Sequence, residues 1–139
     1  LELGCGLGLP SIAAAQAGGR VVASDWSPEA IAAAAANAER NGVAVETLLC
    51  SWAAPDPLVA RAPWDLVLAS DVLYERRNVD QLLALLPRLV DVRGRVLIAD
   101  PGRPPAEAFL ERAANDWHVR STASRRAPRV SIHHLRRRV

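Results

Sequence analysis

Gly4, Gly6 and Gly8 occupy alternate positions in Leu1-Glu2-Leu3-Gly4-Cys5-Gly6-Leu7-Gly8, and they are the residues of this chain best suited to cradle a nucleotide-type ligand. Lacking a Cβ, each lets the backbone turn sharply and come close to a ligand. Leu1 to Leu3 read as the end of a buried strand. The helix that follows would aim its free N–H groups into the same crevice. Three ligands use glycine loops of this kind. The P-loop reading fails because no Gly-Lys-Ser/Thr follows and the chain contains no lysine. The dinucleotide fingerprint fails because its third glycine would come later, and Leu9-Pro10 stand where a small residue is wanted. S-adenosylmethionine remains.

The elements around the loop alternate strand with helix, without internal repeats or low-complexity linkers. Pro10 to Ala17 reads as a helix closed by Gly18-Gly19, and Arg20 to Ser24 as a strand ending at Asp25. Ser27 is a natural N-cap with Pro28 at the first helical position, and the alanine-rich helix runs to Arg40 before Asn41-Gly42. Val43 to Cys50 is a third strand, and a proline-bearing loop runs through Pro63. Trp64 to Ala69 is apolar apart from Asp65 and suits a central parallel position. Asn78 is expected to cap the next helix with Gln81 as its capping-box partner, and leucines 82, 83, 85, 86 and 89 form the buried stripe. Pro87 should kink or end that helix early. Arg95 to Ala99, a helix over Pro105 to Ala114, and strands over Trp117 to Ser121 and Arg129 to Leu135 complete the series. The fold class expected is α/β: a Rossmann-like, doubly wound, mostly parallel seven-stranded sheet with a C-terminal antiparallel hairpin.

Composition fits a single domain over 1–139, with half of the residues apolar and a formal net charge of +2. The longest apolar stretch, Ile31 to Ala36, is too short to span a bilayer. Cys5 and Cys50 show no metal-ligand spacing and read as ordinary thiols at strand ends in a reducing cytoplasm. All 17 basic residues are arginine, and no acid follows Asp116, so Arg120, Arg125, Arg126, Arg129 and Arg136 to Arg138 are unbalanced. Such a tail could attract an acidic protein or RNA, but the reading favoured is a solvated edge hairpin. His133 and His134 are adjacent on a strand and must face opposite sides, so no shared metal is expected.

Glu2-Leu3-Gly4-Cys5-Gly6-Leu7-Gly8 resembles the first motif of the class I S-adenosylmethionine-dependent methyltransferases, acidic-x-G-x-G-x-G. Asp25 matches that family's ribose-binding acid; a carboxylate there can accept hydrogen bonds from both ribose hydroxyls. Ser70-Asp71-Val72-Leu73-Tyr74 looks like the D-x-x-Y element of the seven-β-strand lysine methyltransferases (methyltransferase family 16). Gly8-Leu9-Pro10-Ser11 and Trp52 look like the same group. Asp100-Pro101-Gly102-Arg103 is similar to the corresponding run in the electron transfer flavoprotein β-subunit lysine methyltransferases, and bacterial nicotinamide N-methyltransferase-like proteins are related. Against that pattern the chain is expected to be N-terminally incomplete, missing the start of its first strand.

The resemblance implies S-adenosylmethionine as cofactor, held by Glu2, Gly4, Gly6, Gly8, Asp25, Trp26, Trp52 and Ser70. Glu2 would hold the methionine ammonium, with helix N-terminus electrostatics as its alternative role. Trp26 and Trp52 would wall the adenine or simply pack, whereas Trp64 and Trp117 read as packing. Asp71 and Tyr74 would be catalytic: the acid orients the amine and draws off charge, and the tyrosine borders the entering cation. The alternatives for this pair are a helix cap and a wall residue. Arg103 could bind a substrate carboxylate or tie down its loop. The acceptor implied is a protein lysine ε-amine, possibly on an electron transfer flavoprotein subunit. A small amine of the nicotinamide type, or cofactor binding without catalysis, are the alternatives. No nucleic acid, membrane or metal is expected as a partner, and the protein is expected to be a cytoplasmic monomer.

Overall fold

The computed structural model describes residues 1–139. Seven strands form one mixed sheet, parallel except at its C-terminal end. The chain divides into two compact units, residues 1–54 and 55–139. No helix is long and apolar enough to cross a membrane.

In the first unit, β1 (Glu2–Leu3), α1 (Leu9–Gln16), β2 (Val22–Asp25), α2 (Pro28–Arg40) and β3 (Glu46–Leu49) follow in order. β2 pairs in parallel with β1, Leu3 opposite Ser24, and with β3, Asp25 opposite Leu49. Pairing is reinforced where the Ser24 hydroxyl donates to the Glu2 carbonyl at 2.7 Å. α2 starts as its local chemistry requires: the Ser27 Oγ accepts the Ala30 N–H at 3.2 Å, and Pro28 needs no partner for its missing N–H. Ala34 and Ala38 of α2 are buried, and Ala34 packs in a small core with Cys5 and Ala23. Alanine's small side chain permits that close approach.

The second unit comprises α3 (Asp56–Val59), β4 (Leu66–Ser70), α4 (Arg76–Leu89), β5 (Arg95–Asp100), α5 (Pro104–Ala113), β6 (Trp117–Ala123) and β7 (Ser131–Arg137). β4 and β5 are parallel, while β7 lies antiparallel between β5 and β6. The core draws on alternate strand residues, Val67, Ala69, Val96, Ile98 and Leu135, together with Leu82, Leu85, Leu86 and Leu89 of α4 and Phe109 and Ala113 of α5. Each Val, Leu, Ile or Phe among these stabilises by roughly 1.5–3 kcal/mol on full burial.

Several sequence expectations need correction. Asn78 does not cap α4. The helix begins at Arg76, with Glu75 in the N-cap position, and Asn78 lies buried inside it, its Nδ2 donating to the Val72 carbonyl at 2.8 Å. A side chain turned inward to hold the preceding loop cannot also cap. Leu83 is only half-buried. Pro87 ends the helix less sharply than expected, because it sits in the last turn and the helix runs on to Leu89. The proline-bearing loop contains α3; β3 is shorter than expected, and β6 and β7 extend beyond their expected ends. His133 is buried and His134 half-exposed on opposite faces, as the strand period requires.

Candidate functional site

Within residues 1–54 the glycine loop takes a shape that side chains resist. Gly4, Gly6 and Gly8 have φ of 63°, 51° and 80°, in the left-handed region. The loop closes on itself through the Gly8 N–H to the Cys5 carbonyl at 2.7 Å, and it feeds α1 through the Ile12 N–H to the Gly8 carbonyl at 2.9 Å. Two of the glycines do different work. A Cβ on Gly8 would lie 3.0 Å from the Ala34 Cβ, so Gly8 lets the loop pack on α2. A Cβ on Gly6 would meet nothing within 4 Å, so Gly6 keeps an open approach to the backbone.

Asp25, 8% exposed at the end of β2, pins that loop. Its Oδ2 accepts the Gly6 N–H and its Oδ1 the Ser27 N–H, each at 3.0 Å. A carboxylate oxygen has two lone pairs, so both oxygens retain capacity for ligand hydroxyls. Glu2 is buried, and its Oε2 accepts both the backbone N–H (2.9 Å) and the hydroxyl of Ser11 in the first turn of α1. Burial pushes the Glu2 carboxyl pKa up, against the opposing pull of Ser11. The helix-terminus role weighed for Glu2 is therefore present in the fold. Trp26, immediately after Asp25, is 72% exposed and is no core residue, and Trp52 is half-buried. Trp117 is buried core, while Trp64 donates its Nε1–H to the Leu58 carbonyl at 3.1 Å under the Arg61 guanidinium. Cys5 and Cys50 are both buried, and burial pushes the Cys5 thiol up to about 12.

Within residues 55–139 the last residue of β4, Ser70, and Asp71 and Tyr74 of the loop after it face solvent, while Val72 and Leu73 are buried. Asp71 takes φ 53°, uncommon for a non-glycine residue and best tolerated by Asp and Asn. Its N–H donates to the Ala99 carbonyl at 2.8 Å. Both of its oxygens are held by Arg103, Nε to Oδ1 and Nη2 to Oδ2, each at 2.8 Å. The Arg103 hydrogen bonds keep the Asp71 carboxyl below the usual carboxylate range. Such a group is a poor proton acceptor at neutral pH and a persistent negative charge. Arg103 is in turn placed by Asp100, whose Oδ2 accepts the N–H groups of Gly102 (2.7 Å) and Arg103 (2.9 Å). Asp100 is 2% exposed, and its Oδ1 has no hydrogen-bond partner.

Of the two roles weighed for Arg103 the structure shows the loop-tying one, with Asp71 as a partner the sequence did not name, and neither the Ser11 contacts nor the structural use of Asp100 was foreseen. The run Asp100-Pro101-Gly102-Arg103 was the available signal, since an Asp before Pro-Gly is the pattern of a side chain folding its own turn.

A model of the lysine methyltransferase family matches residues 1–116. The chain belongs to that family. It is 38% identical over 111 residues to the electron transfer flavoprotein β-subunit lysine methyltransferase of Danio rerio, covering 77% of this chain and 41% of that protein. It is 33% identical over 120 residues to the ribosomal protein L11 methyltransferase of Edwardsiella ictaluri, covering 84% and 39%. The chain thus spans about two fifths of the length of the curated relatives it matches. Among solved structures, a ribosomal protein L11 methylase from Lactobacillus delbrueckii subsp. bulgaricus superposes with a TM-score of 0.78 at 23% identity, over 99% of this chain and 69% of that one. A TehB-like S-adenosylmethionine-dependent methyltransferase from Corynebacterium glutamicum gives 0.79 at 16% identity, over 99% and 78%. Those two likenesses show the class I methyltransferase fold. S-adenosylmethionine is the cofactor of this class, and the glycine cradle, the open approach at Gly6 and the Asp25 carboxylate fit it.

Proposed function

We propose that this protein transfers a methyl group from S-adenosylmethionine to the ε-amine of a lysine in a protein substrate. The carrying observation is the loop after β4, which offers a carboxylate paired with Arg103 and a half-exposed tyrosine three residues apart, on a chain of the lysine methyltransferase family.

In this reading Glu2, Gly4, Gly6, Gly8, Asp25, Trp26, Trp52 and Ser70 bind the cofactor. Asp25 takes the ribose hydroxyls while its backbone contacts hold the loop in shape. The cofactor, when bound, supplies an electrophilic methyl carbon. The acceptor nitrogen must arrive neutral and in line, so alignment carries much of the rate. Asp71 attracts the lysine as a cation and fixes its direction, and its low pKa means that the proton passes on to solvent rather than staying on the carboxylate. Tyr74 borders the cation with its ring face.

The test is incubation of the protein with radiolabelled S-adenosylmethionine and either cell extract or nicotinamide. Acid-stable label on a protein band, lost in Asp71→Asn, supports lysine transfer. Label confined to nicotinamide would overturn it in favour of a small-molecule enzyme. Cofactor binding without transfer to either would leave a binding domain.

A further inference from the structure

We propose that the arginines of the β6–β7 turn, Arg125, Arg126 and Arg129, form a docking surface for an acidic protein segment that carries the acceptor amine. The inference rests on the lysine reading of the preceding section and names the kind of substrate surface involved.

The register places this turn. Asp100, the last residue of β5, lies opposite Ser131, the first residue of β7, and Ala123, the last of β6, lies opposite the same Ser131. Residues 124–130 therefore project beyond the carboxyl end of β5. Asp71 is tied to that same end through its N–H to the Ala99 carbonyl. At about 4.8 Å between neighbouring strands, β7 lies roughly 10 Å from β4. The turn thus stands beside the Asp71, Tyr74 and Arg103 group, all within one unit.

The turn is shaped to present charge. Ser124 N–H donates to the Val130 carbonyl and Val130 N–H to the Ala127 carbonyl, both at 2.8 Å, and the Ser124 Oγ accepts the Ala127 N–H at 3.2 Å. These bonds occupy its backbone, and its three arginines are exposed. None of the three makes an ion pair, whereas Arg77, Arg88, Arg93, Arg103 and Arg112 each have an acidic partner. No acid follows Asp116 in the chain, so nothing on the hairpin neutralises them. Three unpaired guanidiniums beside an acceptor group raise the local concentration of an anionic partner. A protein partner is favoured over a nucleic acid because Ser124-Arg-Arg-Ala-Pro-Arg-Val130 has no aromatic ring on which bases could stack.

The experiment uses the full chain, wild type and Arg125→Ala/Arg126→Ala/Arg129→Ala. The probes are a fluorescein-labelled peptide with one lysine among glutamates, its glutamine counterpart, and an oligouridylate of matched charge. The expected result is a glutamate-peptide Kd raised about tenfold by the triple substitution, a gap that closes as salt is added, with S-adenosylmethionine affinity and glutamine-peptide binding unchanged. Equal affinity of both proteins for the glutamate peptide, or no binding of it by the wild type, overturns the proposal. So does arginine-dependent binding of the oligouridylate at least as tight as that of the peptide. Arginine-dependent peptide binding without methylation of its lysine would uphold the docking surface and count against the lysine acceptor instead.

Discussion

Arg103 grips Asp71 in a two-pronged hydrogen bond, Nε to Oδ1 and Nη2 to Oδ2, both 2.8 Å, across 32 residues of sequence. A family acid thought of as meeting substrate is therefore already committed to a cation of its own chain. A substrate ammonium must share that carboxylate or displace the guanidinium.

The ion pair has a pH signature. Because Arg103 lowers the folded pKa of Asp71, the stability it adds is present above the ordinary carboxylate value near 4 and is lost as pH falls through the lowered value. Arg103→Gln should lower the melting temperature slightly at neutral pH, since both side chains are about half exposed, and not at all in strong acid. Thermal melts at the two pH values check this; an equal gap at both would refute it.

Asp71 itself separates backbone from chemistry. At φ 53° asparagine is tolerated, whereas alanine adds strain of about 1 kcal/mol. Asp71→Asn should melt close to wild type yet lose methyl transfer, and Asp71→Ala should lose both. Transfer surviving in Asp71→Asn would remove the carboxylate from the proposed mechanism.

Gly6 and Gly8 should fail differently. Gly8→Ala meets Ala34 at 3.0 Å at φ 80° and should cost about 2 kcal/mol or more of stability in urea unfolding. Gly6→Ala has open space, carries only backbone strain of about 1 kcal/mol, and should show its larger effect on cofactor affinity by calorimetry.

Asp25→Ala removes the acceptor of the Gly6 and Ser27 N–H groups and, in the proposed function, of the ribose hydroxyls. Cofactor affinity should fall by about 1.5–3 kcal/mol, the scale of a charged hydrogen bond. Unchanged affinity in a folded variant would refute the ribose assignment.

Glu2 carries the opposite pH sign. Its folded pKa is raised by burial, so stability falls as pH rises from the unfolded carboxylate value toward the folded one. Glu2→Gln keeps an oxygen for the Ser11 N–H and should flatten that decline in melts across acid to neutral pH. A variant with the same slope would show that another group causes it.

What could be read from the chain was local. Ser27-Pro28 starts a helix because the N-cap bond spans three residues, and the glycine loop is legible because glycine readily takes left-handed backbone at three alternate positions. Asn78 shows the limit of local patterns. Its type and its spacing to Gln81 satisfied a capping box, but its amide was spent on Val72.

The amino-acid sequence by itself determined the alternation of elements, the glycine cradle, Asp25 at a strand end and the unbalanced arginines of the tail, because each follows from neighbours along the chain. Only the tertiary structure decided that Arg103 clamps Asp71, that Asp25 holds Gly6, that Glu2 serves the start of α1, and that the arginine turn stands at the carboxyl end of β5. Those relationships join residues far apart in the chain. Strand register and the inward or outward sense of each side chain bring them together, and neither leaves a mark in local sequence.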